Sequence, residues 1–371
     1  MINIHAQHCS RLLSRLVNGS RHSRFLQLSV GRPARVSPDV GAGPPPDPPT
    51  PTDNRYLARE ARRYDAAADL RVSNDGKNSL LRKRFWQGVS VRSVNGALEV
   101  YLDERPLKHP RSKKVIRLPP SKPILAIALA VEWDRLTSAQ QATKEHLVPL
   151  TSIICRALDI EADDGSGLGK MRGDITANLL KYLDTDSLLC WVPPANELDV
   201  LNDANESLRD VQKRAATDTV TFLTMHVWPG VTIEPVLDGH SLSPRKQAPG
   251  VREIVQGWVQ GLSSWELAGL ERAVLAGKSL LIAARLVAQW SEEAAGARVP
   301  ATDEHGFRVE DAVEAVSIEV DWQTEQWGEV EDAHDVNHED LQRQLGSVVL
   351  LVSGTRADAS NLFPPGITGP S

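Results

Sequence analysis

"VSVRSVNGALEVYL", residues 89–102, holds two runs of alternating apolar residues around a single turn signal. Val89 and Val91 alternate with polar residues, Asn95-Gly96 interrupts, and Leu98, Val100 and Leu102 alternate again with Glu99 and Tyr101. Apolar side chains at every second position line one face of a strand, and Asn-Gly accepts the positive φ values of a two-residue primed turn. A β-hairpin is expected. "KVIRL" at 114–118 is expected to add a third strand that Pro119-Pro120 end. Ser121 can then cap a helix over "PILAIALAVEWDRL" at 123–136, with Pro123 in its first turn.

Beyond about Ser138 the period becomes helical. "LVPLTSIICRAL" at 147–158, "MRGDITANLLKYL" at 171–183, the run 250–293 and "VEDAVEAVSIEVDWQTEQW" at 309–327 all repeat apolar residues at spacings of three and four. Residues 193–250 predict a helix around 205–215 and an exposed connector at 235–250, and "SVVLLVS" at 347–353 fits a strand or a helix end equally well. The fold class is therefore α+β. A small N-terminal α+β domain at 81–137, made of a β-hairpin plus a strand and a helix, precedes a mainly α-helical orthogonal-bundle domain at 138–354. Residues 355–371 read as a disordered tail.

Composition is that of a soluble globular protein, with 41% apolar and 24% charged residues in 371. Met1 to Pro38 differs: it holds Arg11, Arg15, Arg21, Arg24, Arg32 and Arg35, several Ser and His, and neither Lys nor acid. That is the pattern of a mitochondrial transit segment, with a disordered basic tail as the plainer alternative. Its removal takes the formal charge from −6 to −12, because six arginines leave with no acid. An acidic chain of this kind is a poor nucleic-acid binder. Residues 39–80, which begin with the Pro-rich "AGPPPDPPTPTD" at 42–53, read as an extended polar linker. Only Cys9, Cys155 and Cys190 are present, too few for a disulfide framework or a cysteine metal cluster, and no apolar stretch is long enough to span a bilayer.

Candidate chemistry concentrates in "EVDWQTEQWGEVEDAHDVNHEDL", residues 319–341, with nine acids and no Lys or Arg. His334 and His338 are four apart, as on a zinc-protease helix, but downstream only Glu339, Asp340 and Asp358 could add a ligand, and Asp335 is shorter than the usual glutamate base. No metal or other cofactor is expected. "GSGLG" at 165–169 lacks the Lys-Ser/Thr ending of a phosphate loop and reads as a turn, and Cys155 and Cys190 sit in apolar segments as core thiols.

Glu319 stands apart. At 100° per residue, Val313, Val316, Val320 and Trp327 form one apolar stripe, Ile318, Trp322 and Ala315 a second, and Glu314, Asp321 and Glu325 gather on a third side. Glu319 falls between the two apolar stripes, near Ala312, Gln323 and Gln326. A carboxylate there requires a buried ion pair with an Arg or Lys from another helix, or a groove that a partner or substrate fills.

Several segments, taken in order, resemble the family of mitochondrial F1-ATPase assembly chaperones that handle the α subunit, the ATP synthase F1 complex assembly factor 2 family. They are "KRFWQGVSV" at 83–91, "LEVYLDERPLKHP" at 98–110, "AVEWD" at 130–134, "YLDTDSLLC" at 182–190, "SWELAGLE" at 264–271 and "IEVDWQTEQWGEVEDAHD" at 318–335. The resemblance implies a protein of the mitochondrial matrix without catalytic activity, cofactor, nucleic-acid, membrane or small-molecule ligand. Its partner would be the unassembled F1-ATPase α subunit, shielded from aggregation and handed to the β subunit. The family's sensitive glutamate matches Glu319, and Trp327, Gly328, His334 and Asp335 match its surroundings, which with Trp322 gives a partner-binding set. Val320 stands where the family often has an acid, and 196–249 matches poorly. The alternative is a matrix enzyme that uses Glu319 as general acid or base, which needs a second titratable group nearby.

Overall fold

The computed structural model describes residues 83–354 apart from 198, 242, 294, 296–305 and 329–333, with His334 and Asp335 described by their backbone alone. The expected transit segment, the linker and the C-terminal tail lie outside the described residues. Those described belong to one compact unit that begins at Arg82.

The hairpin forms as expected. β1 (Val89–Val94) and β2 (Ala97–Leu102) pair antiparallel with Val94 opposite Ala97, and the two residues between them, Asn95 and Gly96, have φ of 50° and 77°, as a type I′ turn requires. Leu98, Val100 and Leu102 are buried, and so is Trp86 just before β1.

The third strand is not 114–118. It is β3 (Arg105–Pro106), which turns back on β2 after Asp103 at φ 54° and so takes the end of β2's second edge. The Leu107 amide then donates to the Val100 carbonyl, leaving only Leu98 for the later segment. Residues 114–118 therefore pair through isolated bridges, Lys108 with Val115 and Leu98 with Leu118.

Nine α-helices follow among the described residues: α1 (Pro123–Asp134), α2 (Pro149–Gly165), α3 (Lys170–Leu179), α4 (Leu208–Phe222), α5 (Val251–Gly261), α6 (Ser264–Gly277), α7 (Leu280–Trp290), α8 (Val309–Trp327) and α9 (His334–Val352). The apolar run 250–293 is thus three helices. Ser263 and Ser279 adopt extended backbone and cap α6 and α7 by accepting from the Glu266 and Ile282 amides, which stops one helix and starts the next without disturbing the apolar period. Residues 347–353 prove to be the end of α9 and its C-cap rather than a strand. The helix expected near 205 begins at Leu208 behind a Ser207–Asp210 capping box and continues into a π-turn at Leu223–Val227.

Carboxylates drawn from the core side also take up free amides at helix starts. Glu132 of α1 accepts from the Leu150 and Thr151 amides of α2, at 2.7 and 2.9 Å. Asp186, fully buried, accepts from the Leu188, Leu280 and Leu281 amides, and its burial pushes the carboxyl up to about 6. Glu266 accepts from the Ser263 and Ala295 amides and the Ser291 hydroxyl.

A single apolar core runs from the sheet through the helices. At its centre lies α6, with Trp265, Leu267, Ala268, Leu270, Ala273 and Val274 all buried. Two glycines let neighbours approach it: a Cβ on Gly269 would stand 2.9 Å from Val352 of α9, and one on Gly277 would stand 3.0 Å from Val316 of α8.

Lys122, and not Ser121, occupies the N-cap of α1, and no side chain caps that helix. The Lys122 side chain is 1% exposed and its ammonium meets the Glu292 carboxylate at 2.7 Å. It also donates to the Val352 and Ser353 carbonyls at the end of α9, at 3.3 and 3.1 Å. Ser121 donates to the same Glu292 at 3.1 Å. Breaking a buried pair leaves the other charge stranded, so Lys122→Met is expected to lower the unfolding free energy by about 3 kcal/mol. The double variant Lys122→Met with Glu292→Leu should recover most of that loss in denaturant titrations; an equal or larger loss would show that the pair is not what holds this junction.

Candidate functional site

α8 and α9 each have 19 residues, whereas α6 and α7 have 14 and 11. At 1.5 Å per residue α8 is about 28 Å long, more than 10 Å longer than α7. Its first half is anchored: the Asp311 carboxylate accepts from the Arg308 amide and guanidinium, Ala312 and Val313 are buried, and Val316 packs on Gly277. Its second half leaves the core. Val320 is 49% exposed and Trp327 69%, and Val336, near the start of α9, is 60% exposed.

This corrects the helical-wheel expectation. The Val313–Val316–Val320–Trp327 stripe is not buried along its length: Val313 is buried, Val316 half-buried, and Val320 and Trp327 are exposed. Trp322 is half-buried. His334 and Asp335 open α9, and their side chains lie outside the described residues. His338 is exposed, and among the described residues no three His, Cys, Asp or Glu side chains converge as metal ligands.

Glu319 sits where the anchored half of α8 gives way to the free half. It is half-buried, and desolvation raises its carboxyl above the ordinary carboxylate range. No donor among the described residues pairs with it, so the buried ion pair with another helix is not formed by them. The contrast with Glu132, Asp186 and Glu266 is physical: each of those collects backbone donors at a helix N-terminus, whereas Glu319 lies inside a helix, where amides are already bonded. Its carboxylate bears the cost of partial burial without an offsetting contact.

The other candidates are structural. Cys155 is buried and its thiol is pushed up to about 12, mainly by desolvation, which leaves it protonated and inert, and Cys190 is half-buried. "GSGLG" is the turn from α2 to α3, with Gly167 and Gly169 at positive φ. Two clefts, of about 1120 and 430 Å³, form elsewhere, and Glu319 lines neither. The larger is built from residues 109–111, 142–159, 268–276 and 344, and no local motif in the sequence announces it.

A pH test follows from the unpaired carboxyl. Because its native pKa is raised, the folded state binds more protons than the unfolded state between the ordinary value of 4.5 and the raised one. Its contribution to stability therefore falls as pH rises through that interval. Glu319→Gln is expected to melt at or above the wild-type temperature at pH 8, with the difference shrinking as pH is lowered toward 4.5. A clear loss of melting temperature at pH 8 would mean that the carboxylate is paired after all.

Comparison with known proteins bears on the family and the fold. Residues 83–224 match the family model described as ATP12 chaperone protein. "Protein atp12, mitochondrial" of Schizosaccharomyces pombe is 29% identical over 72% of this chain and 81% of its own length. "Protein ATP12, mitochondrial" of Saccharomyces cerevisiae is 31% identical over 72% of this chain and 83% of its own. The crystal structure of Atp12 from Paracoccus denitrificans superposes with a TM-score of 0.51 at 23% identity, covering 72% of this chain and 96% of that one. The Atu1473 protein of Agrobacterium tumefaciens gives 0.52 at 21%, covering 73% and 86%. The two structures share the fold, and the extent of identity with the two yeast proteins establishes that this chain belongs to the ATP12 chaperone protein family.

Proposed function

We propose that this chain is a mitochondrial assembly chaperone of ATP synthase that binds the unassembled F1-ATPase α subunit in the matrix, prevents its aggregation and releases it to the β subunit. The observation that carries the reading is Glu319: a half-buried carboxylate without a donor among the described residues, at the root of an overhang that exposes Val320 and Trp327. The mitochondrial names of the two yeast relatives support the location.

The physical logic is that of a preorganised contact. Taking a carboxylate out of water is costly, and here part of that cost is already incurred in the free chaperone, so a cation on the client gains a bond without desolvating Glu319 again. A charge-assisted hydrogen bond of this kind is worth about 1.5–3 kcal/mol. That is enough to favour the client surface and small enough for β to outcompete. The exposed Trp327 and Val320 would cover apolar client surface, with Trp322, His334 and Asp335 completing the partner-binding set. Residues 319–341 carry nine acids and no Lys or Arg, which favours encounter with a basic rim.

An acid–base role for Glu319 would need a pocket with a second titratable group, and the carboxylate lines neither cleft. We read the chain as non-catalytic, in keeping with the chaperone family model it matches. The test is co-expression of the full chain with isolated F1 α subunit, comparing wild type with Glu319→Gln and Trp327→Ala. Both variants are expected to recover at least tenfold less soluble complex while melting no lower than wild type. Undiminished complex with Glu319→Gln would remove the carboxylate from recognition, and no complex with wild type would overturn the client assignment.

A further inference from the structure

The cleft of about 1120 Å³ opens where α2 and α6 lie side by side, and most of its charges are already matched. Arg156 of α2 makes a two-pronged ion pair with Glu271 of α6, both contacts at 2.7 Å. Arg111 pairs with Asp159. His109, at the inner end, accepts on Nδ1 from the Arg111 and Ser112 amides, at 3.2 Å each. Its Nε2 faces the Asp159 carboxylate at 3.3 Å and the Cys155 carbonyl at 3.4 Å.

Arg272 is different. It is half-buried in the wall, donates from Nη2 to the Ser152 hydroxyl oxygen at 3.0 Å, and meets no carboxylate among the described residues. A guanidinium carries five N–H donors, of which one is used here. Ser152 Oγ accepts that bond, and its own proton has no acceptor among the described residues. A cation and a hydroxyl donor thus stand together on a cleft wall without an anion. The acid at the rim, Glu145, is exposed.

The kind of anion follows from the shape. The cleft exceeds the roughly 300–1,000 Å³ usual for small-molecule sites, and its walls mix apolar side chains such as Val148 and Leu275 with ion pairs able to bond peptide groups. We propose that this cleft receives an acidic segment of a polypeptide, with an Asp or Glu carboxylate bound by Arg272 and by the Ser152 hydroxyl. The site shares no residue with the Glu319 overhang and stands independently of the function proposed for it.

The test uses the full chain and a fluorescein-labelled peptide, Gly-Ser-Ala-Glu-Asp-Glu-Ala-Ser-Gly, followed by anisotropy, with its Gln/Asn counterpart as control. The acidic peptide should bind at least tenfold more tightly than the neutral one. Arg272→Gln should weaken it at least tenfold at unchanged melting temperature, and Ser152→Ala, which removes the second donor and spares the charge, about threefold. Glu145→Gln should tighten binding, and Glu319→Gln should leave it unchanged. Equal binding of the two peptides, undiminished binding by Arg272→Gln, or no binding up to millimolar peptide would overturn the proposal. Displacement of the peptide by inorganic phosphate at concentrations where chloride has no effect would make this a small-oxyanion site and overturn the assignment to a polypeptide.

Discussion

The buried ammonium of Lys122 is the constraint on which the arrangement of this chain depends. A charge that is 1% exposed must be neutralised, and its partners come from far along the chain: the Glu292 carboxylate just beyond α7, and the Val352 and Ser353 carbonyls that close α9. A cation at the C-terminal end of a helix also matches the sign of the helix dipole. The junction therefore fixes α9 by its C-terminal end, against α1 on one side and α6 on the other. Gly269 then lets Val348 and Val352 close onto α6.

Fixing α9 at its end leaves its beginning free, and the site follows from that. α8 is anchored at its N-terminal half and α9 at its C-terminal half, and the exposed Val320, Trp327 and Val336 fall in the opposite halves, which are consecutive in the chain. Apolar side chains on such an overhang gain nothing from the core. Neither does Glu319, which is raised in pKa by desolvation alone. Local choices that disagree with the stability of the fold are most readily explained by a demand from outside it. Elsewhere the same chain matches its buried acids with donors, as at Glu132, Asp186 and Glu266.

Much of this is legible in the amino-acid sequence, and the remainder is hidden for identifiable reasons. The hairpin reads directly because Asn95-Gly96 and a period of two leave no competing structure. The third strand misleads because "KVIRL" has strand character, while the edge it would occupy is taken by Arg105–Pro106, a segment too short to show a period. The 250–293 run conceals two breaks because a serine cap needs only one residue and does not disturb the spacing of the apolar positions. The helical wheel places Glu319 between apolar stripes but gives only phase. Burial also depends on how far the neighbouring helices extend, which a single helix does not encode. Arg272 and Ser152 are 120 positions apart, and nothing local links them.

On the proposed function, Glu319 stays half-buried and without a donor among the described residues of the free chain so that a cation on the client can complete it. Carboxyl-carbon NMR of selectively labelled glutamate, assigned with Glu319→Gln, would follow the titration of this one group in the free chain and in the complex with F1 α subunit. A pKa above the ordinary carboxylate range is expected in the free chain, drawn below it when the client is bound. An ordinary pKa in the free chain, or a raised one that the client leaves unchanged, would contradict it.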